Sequence, residues 1–278
     1  MQIGIRLHDT LPMALPERLA HTRKQGFSCA HVALSKVIDD FEIKNSTLTP
    51  GFAMYLKKLF ACNDLDVAVL GCYLNLADPD GARLAETIEK YKAQIRFASW
   101  LGAGVVGTET GNPNSLYVPD PASRTEEALY TFTKNLSCVV EYAEKMGVVV
   151  AIEPVCRHIV YDARRARQVL RSIQSPNLQI ILDPVNLLDD CDAGRYKDVV
   201  KEAIELLGED VAVIHVKDFS VSDGKIVSMA AGTVIMDYSD LIRFMKADKP
   251  YIHATLEDTV PENAVQAREF MERLWDEA

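Results

Sequence analysis

The sequence of 278 residues has no C-x-x-C pair, no basic run of five residues and no G-x-G-x-x-G element after its first predicted strand. It also has no apolar stretch near the roughly 20 residues that cross a bilayer. Each absence removes a class. Without paired thiols, Cys29, Cys62, Cys72, Cys138, Cys156 and Cys191 read as reduced packing residues, not as a disulfide frame or a thiolate metal site. Basic residues are the minority: 30 Lys and Arg against 40 Asp and Glu give a formal net charge of -10, the wrong sign for neutralising a phosphate backbone. Neither a nucleic-acid nor a membrane partner is therefore expected. The opening segment, MQIGIRLHDTLP, lacks the basic flank and apolar core of a secretory signal, so a cytoplasmic location is expected. It also holds a single glycine, too few for a dinucleotide loop after a first strand.

What is present is an ordinary globular composition, 48% hydrophobic and 25% charged, arranged in a regular alternation. Short β-branched or apolar runs predict strands at Gln2–Leu7, Cys29–Leu34, Asp66–Leu70, Gly104–Thr108, Val148–Ile152, Leu178–Leu182, Val211–Ile214 and Tyr251–Leu256. A stretch of helical periodicity follows each one. Such alternation requires parallel strands joined by crossover helices. With no phosphate loop after the first strand to favour an open doubly wound sheet, and no linker between units, the prediction is an α/β chain folded as one (β/α)8 barrel over residues 1–278.

In such barrels, chemistry sits where strands end and βα loops begin. The last four predicted strands end in Glu153, Asp183, His215 and Glu257. One charged residue at a strand end is commonplace. Four in succession include three carboxylates that need a cation or raised pKa values to coexist. Three carboxylates and one imidazole suit an oxygen-preferring divalent ion, Mn²⁺ first, with Mg²⁺ or Co²⁺ possible and Zn²⁺ less natural without thiolate.

The strings AIEP, LDPVN, IHVKD and TLED at those strand ends resemble the xylose isomerase-like barrel superfamily of sugar isomerases and epimerases, a group that includes tagatose 3-epimerase and inosose dehydratase. The resemblance implies that Glu153, Asp183, His215 and Glu257 hold a metal. It also implies that Glu153 and Glu257 exchange a proton on opposite faces of a small sugar substrate, and that the chain forms dimers or tetramers. The sequence departs from the epimerase branch at Ile159, Asn186 and Val221, where a carboxylate, a histidine and an arginine are usual, so the substrate grasp is altered. Candidate substrate contacts are therefore His158, Lys217, Glu109, Asn186, Tyr73 and Arg157, all in or beside βα loops. His158 could alternatively orient a metal ligand, and Lys217 could pair with Asp218 or Glu257. His8 reads as a structural histidine, as do His21, His31 and His253. The segment SVSDGKIVSMAAGTVIMDY reads as a loop covering the site. Competing readings are a lyase of the inosose dehydratase type and a non-catalytic metal- or carbohydrate-binding barrel. An apurinic endonuclease relative would need more strand-end histidines and a basic face.

Overall fold

The computed structural model describes all 278 residues, Met1–Ala278. Eight parallel strands close into a barrel: β1 (Gln2–Arg6), β2 (Cys29–Val32), β3 (Asp66–Gly71), β4 (Val105–Glu109), β5 (Val150–Glu153), β6 (Leu178–Leu182) and β7 (Val211–Val216) come first. An antiparallel hairpin of β8 (Asp218–Ser222) and β9 (Lys225–Met229) follows, and β10 (His253–Leu256) then closes the barrel against β1. The outer layer holds α1 (Leu15–Lys24), α2 (Leu34–Val37), α3 (Pro50–Cys62), α4 (Gly81–Leu101), α5 (Glu126–Met146), α6 (Ala163–Ile173), α7 (Tyr196–Leu207), α8 (Ser239–Asp248) and α9 (Ala264–Glu277). No helix is long and apolar enough to cross a membrane.

Local chemistry explains the helix bounds. Thr49, Asp80, Thr125 and Asp162 accept first-turn N–H bonds on their side chains, capping α3, α4, α5 and α6. Gly102 (φ 82°) and Gly147 (φ 64°) supply the left-handed turn that ends α4 and α5. The predicted covering loop departs from expectation, because part of it is the β8–β9 hairpin. Asp223 (φ 50°) and Gly224 (φ 74°) provide the two positive-φ residues of a tight hairpin turn, the conformation for which an Asp-Gly pair is suited.

Strand side chains alternate between the helix-facing core and the barrel interior. Cys29, Val69, Val105, Ala151, Ile181 and Val213 fill the interior as their own cluster. A Cβ on Gly107 would stand 2.6 Å from Val69 Cγ1 and 2.8 Å from Ile181 Cδ1, so this layer has no spare room. Further along each strand, the same alternation brings a second set of side chains to the mouth: Arg6, His31, Gly71, Glu109, Glu153, Asp183, His215 and Glu257. The packed layer below is a floor under an almost wholly polar ring.

Candidate functional site

Glu153 ends β5, Asp183 follows β6, His215 lies in β7 and Glu257 follows β10, which are four neighbouring strands of the barrel. Their ligand-capable atoms all lie within 4.8 Å of one another, and all four residues are buried. His215 Nδ1 is 3.3 Å from Glu153 Oε2 and 3.3 Å from Glu257 Oε1. The backbone turn after β6 fixes two of the carboxylates. Asp183 Oδ1 accepts from the N–H groups of Val185 (2.9 Å) and Asn186 (3.0 Å), while Asn186 Nδ2 donates to Glu153 Oε1 at 2.6 Å. One oxygen of each acid is thus held by the protein, leaving Asp183 Oδ2 and Glu153 Oε2 for the centre.

Charge at the centre is balanced by named groups. Lys217 Nζ lies 2.9 Å from Asp183 Oδ2 and 3.4 Å from Glu257 Oε2. Arg6 reaches Glu257 at 3.3 Å, Asp9 at 2.9 Å and Asp258 at 2.9 Å. Burial pushes the Asp183 carboxyl up to about 6 although Lys217 opposes it. Burial would do the same to Glu257, but His215, Lys217, His31 and Arg6 together hold it well below the usual carboxylate range. For His215, burial alone would depress the pKa; Glu257 and Glu153 overcome it and raise the imidazole to about 9. Protein cations and one proton therefore stabilise the three carboxylates in the metal-free state.

The donor set also fits a metal ion. Neither ring nitrogen of His215 has an aligned hydrogen bond, and Asp183 Oδ2 has none despite its nearness to Lys217. Buried polar atoms without partners are costly, and a divalent cation among three carboxylates and an imidazole would satisfy Asp183 Oδ2 and one ring nitrogen of His215.

A family model described as a xylose isomerase-like TIM barrel matches residues 20–274. The chain belongs to this family. Three solved structures with the same fold are 3-keto-D-glucoside 4-epimerase, YcjR, from E. coli, a D-tagatose 3-epimerase-like protein, and the IOLI protein with a binding zinc atom. Their identities to this chain are 15%, 18% and 16%, and their TM-scores are 0.75, 0.77 and 0.73. The matches cover 98%, 99% and 100% of this chain and 99%, 97% and 99% of theirs. At these identities the likeness is one of fold. No curated protein matches the chain.

Around the four residues, this member of the xylose isomerase-like family carries groups that differ from the sequence expectation. His31, read as structural from the sequence, lies against the centre. Its ring stacks on His215 at 5.3 Å, its Nδ1 lies 3.4 Å from Glu257 Oε1, and its Nε2 meets the Tyr73 hydroxyl at 3.2 Å. His31, His215 and Glu257 make a second group whose ligand-capable atoms converge. Arg6, absent from the sequence candidates, is a further contact of Glu257. Both could have been found by carrying the two-residue strand period into β1 and β2. His253, by contrast, pairs with Asp66 at the start of β10, away from the mouth.

The remaining candidates separate clearly. Lys217 and Asn186 touch the four residues directly, and Tyr73 reaches them through His31. Glu109 lies beside Glu153 in the β4–β5 register, accepts from the Tyr117 hydroxyl at 3.1 Å, and stands 3.8 Å from His158 Nδ1. Arg157 does not join them: its side chain is 54% exposed and pairs with Asp190, in the turn before α7, at 3.4 Å. Asp218 does not pair with Lys217. Its carboxylate accepts from the backbone of Phe219, Val234, Ile235 and Met236 and so anchors the segment after the hairpin. A 770 Å³ cavity adjoins the mouth at Gly71 and Tyr73, whereas a 680 Å³ groove between α8 and α9 contains none of these side chains.

Proposed function

We propose that this chain is a divalent-metal-dependent sugar isomerase or epimerase that moves a proton at the carbon beside a carbonyl. The observation that carries the reading is the pair Glu153 and Glu257, two carboxylates from separate strands that approach one imidazole nitrogen, His215 Nδ1, at 3.3 Å each. Glu153, Asp183, His215 and Glu257 would hold the ion. When bound, it supplies Lewis-acid stabilisation of the negative charge that develops on the carbonyl oxygen. The oxygen-rich set favours Mn²⁺, with Mg²⁺, Co²⁺ and Zn²⁺ as the ions to compare. Two structural neighbours, a 3-keto-D-glucoside 4-epimerase and a D-tagatose 3-epimerase-like protein, support the substrate class and the reaction type.

In this reading Glu153 takes the substrate proton on one face and Glu257 returns a proton on the other, with the roles exchanged in reverse. Asn186 fixes Glu153 through Oε1 and so sets how its carboxylate faces the centre. Arg6 and His31 orient Glu257 from the opposite side. Burial of all four residues excludes bulk water, which protects a carbanion-like intermediate from side reactions. Lys217, 3.4 Å from Glu257, is placed to protonate a departing hydroxyl, and this favours dehydration as the second reading.

One experiment separates these readings. A panel of ketoses and inososes incubated in D₂O with the Mn²⁺-loaded protein is expected to gain deuterium at the carbon beside the carbonyl. Exchange with loss of water would select the lyase, and bound metal without any exchange would leave a binding protein.

Metal loading also has a pH signature. A ligating imidazole must be neutral, but His215 is raised to about 9 and so holds a proton at pH 7.5. Loading at that pH should release roughly one proton, and affinity should fall with decreasing pH, further so as Asp183 protonates near about 6. Calorimetry in two buffers of different ionisation enthalpy measures the release, and identical heats in both would contradict it.

A further inference from the structure

On the β4–β5 side of the mouth, the β4–α5 loop is built around one unusual residue. Tyr117 adopts φ 57°, a left-handed conformation that a bulky side chain holds only when its surroundings impose it. The restraint comes from two asparagines. Asn75 Nδ2 donates to the carbonyls of Asn112 and Asn114, and Asn114 Oδ1 accepts from the N–H groups of Leu116 and Val118. Gly111, at φ 71°, lets this loop pass close to Asn75, where a Cβ would stand 2.3 Å from Oδ1. The outcome is a Tyr117 hydroxyl aimed at Glu109 Oε2 and a His158 ring packed edge-on against Tyr117 at 5.4 Å.

These groups are not saturated. His158 Nδ1 is buried without a hydrogen-bond partner, and 3.8 Å from Glu109 is too far to make one. Glu109 receives one protein hydrogen bond, through Oε2, and its side chain keeps 29% exposure toward the mouth. Burial lowers His158 to about 4, so the ring is neutral at neutral pH. Together they offer a carboxylate acceptor, a phenol and a neutral imidazole, a combination suited to sugar hydroxyls. A phosphate would meet a carboxylate with no free cation. Arg6 and Lys217 are committed to Asp9, Asp183, Glu257 and Asp258, Arg157 pairs with Asp190, and Arg124 pairs with Asp189. Lys36, for which the structure shows no ion pair, lines the 770 Å³ cavity on the Tyr73 side instead.

We propose that Glu109, Tyr117 and His158 form a hydroxyl-binding site, and that the substrate is an unphosphorylated polyhydroxy carbonyl compound whose hydroxyl-bearing tail lies there. The proposal rests on the reading of the centre as one that acts on sugars, and it names which sugars.

The test titrates matched pairs, D-fructose with D-fructose 6-phosphate and D-xylulose with D-xylulose 5-phosphate, into the Mn²⁺-loaded protein by calorimetry. Deuterium exchange is followed in parallel. The free sugar of at least one pair is expected to bind about tenfold more tightly than its phosphate, or better. Tyr117→Phe and Glu109→Gln should weaken that binding several-fold and raise KM more than they lower kcat, while Lys36→Ala leaves it unchanged. Tighter binding of the phosphates, binding of neither member of any pair, or free-sugar binding indifferent to both variants would each overturn the proposal. Preferential binding of the free sugar without deuterium exchange would leave the hydroxyl site standing and refute the proton-transfer reading alone.

Discussion

Replacing Glu153 by glutamine is expected to lower deuterium exchange by roughly 10²–10⁴-fold, the usual contribution of a positioned general base. The argument rests on how Glu153 is held. Its Oε1 accepts from Asn186 at 2.6 Å and its Oε2 faces His215 at 3.3 Å. Glutamine retains the shape, and its carbonyl oxygen keeps the Asn186 bond. The amide nitrogen then faces the centre, where it can neither accept a proton nor ligate a cation. Metal content must be measured on the same sample, because a lost ligand and a lost base would both slow exchange. Exchange undiminished in Glu153→Gln at full metal occupancy would remove Glu153 from the chemistry. Asn186→Ala should have a smaller effect of the same sign, because it frees Glu153 to rotate without removing the carboxylate.

The second large effect is on stability. Lys217 is buried between Asp183 and Glu257 at 2.9 and 3.4 Å. Removing one partner of a buried ion pair costs about 3–5 kcal/mol, because the charge left behind is uncompensated. Lys217→Met in the metal-free protein is expected to lose stability of that order, read by denaturant unfolding. Adding Mn²⁺ should recover most of it, since an ion that binds the folded state alone stabilises that state by mass action. The pH dependence has a definite sign. Asp183 is already raised in the folded protein to about 6, so the cost of its ionised form is present above that pH and is relieved as the pH falls through it. Without Lys217 the raised value climbs further, and the deficit of the variant should shrink in mildly acidic solution. A loss that metal and acid both leave unchanged would contradict this account of the charge balance.

The barrel and four of its mouth residues were legible because both obey local rules. Strand-then-helix alternation marks a parallel closed sheet, and Glu153, Asp183, His215 and Glu257 stand where the apolar runs of β5, β6, β7 and β10 give out. Arg6 and His31 have no such mark, because both lie inside the runs Gln2–Leu7 and Cys29–Leu34 rather than where those runs give out. The hairpin within the predicted covering loop had its own signal in Asp223–Gly224. Other features have no local signature. Arg157 turns to Asp190 because of a turn more than thirty residues away in sequence, and Tyr117 reaches Glu109 only because Asn75 and Asn114 bend its loop. Such placements depend on which loops meet over the barrel.

The central claim is that Glu153, Asp183, His215 and Glu257 hold one divalent ion, and anomalous diffraction from crystals of the Mn²⁺-loaded protein tests it most directly. The predicted result is a single strong anomalous peak shared by those four side chains. A peak held instead by His31, His215 and Glu257, or no peak while Lys217 remains between Asp183 and Glu257, would contradict it.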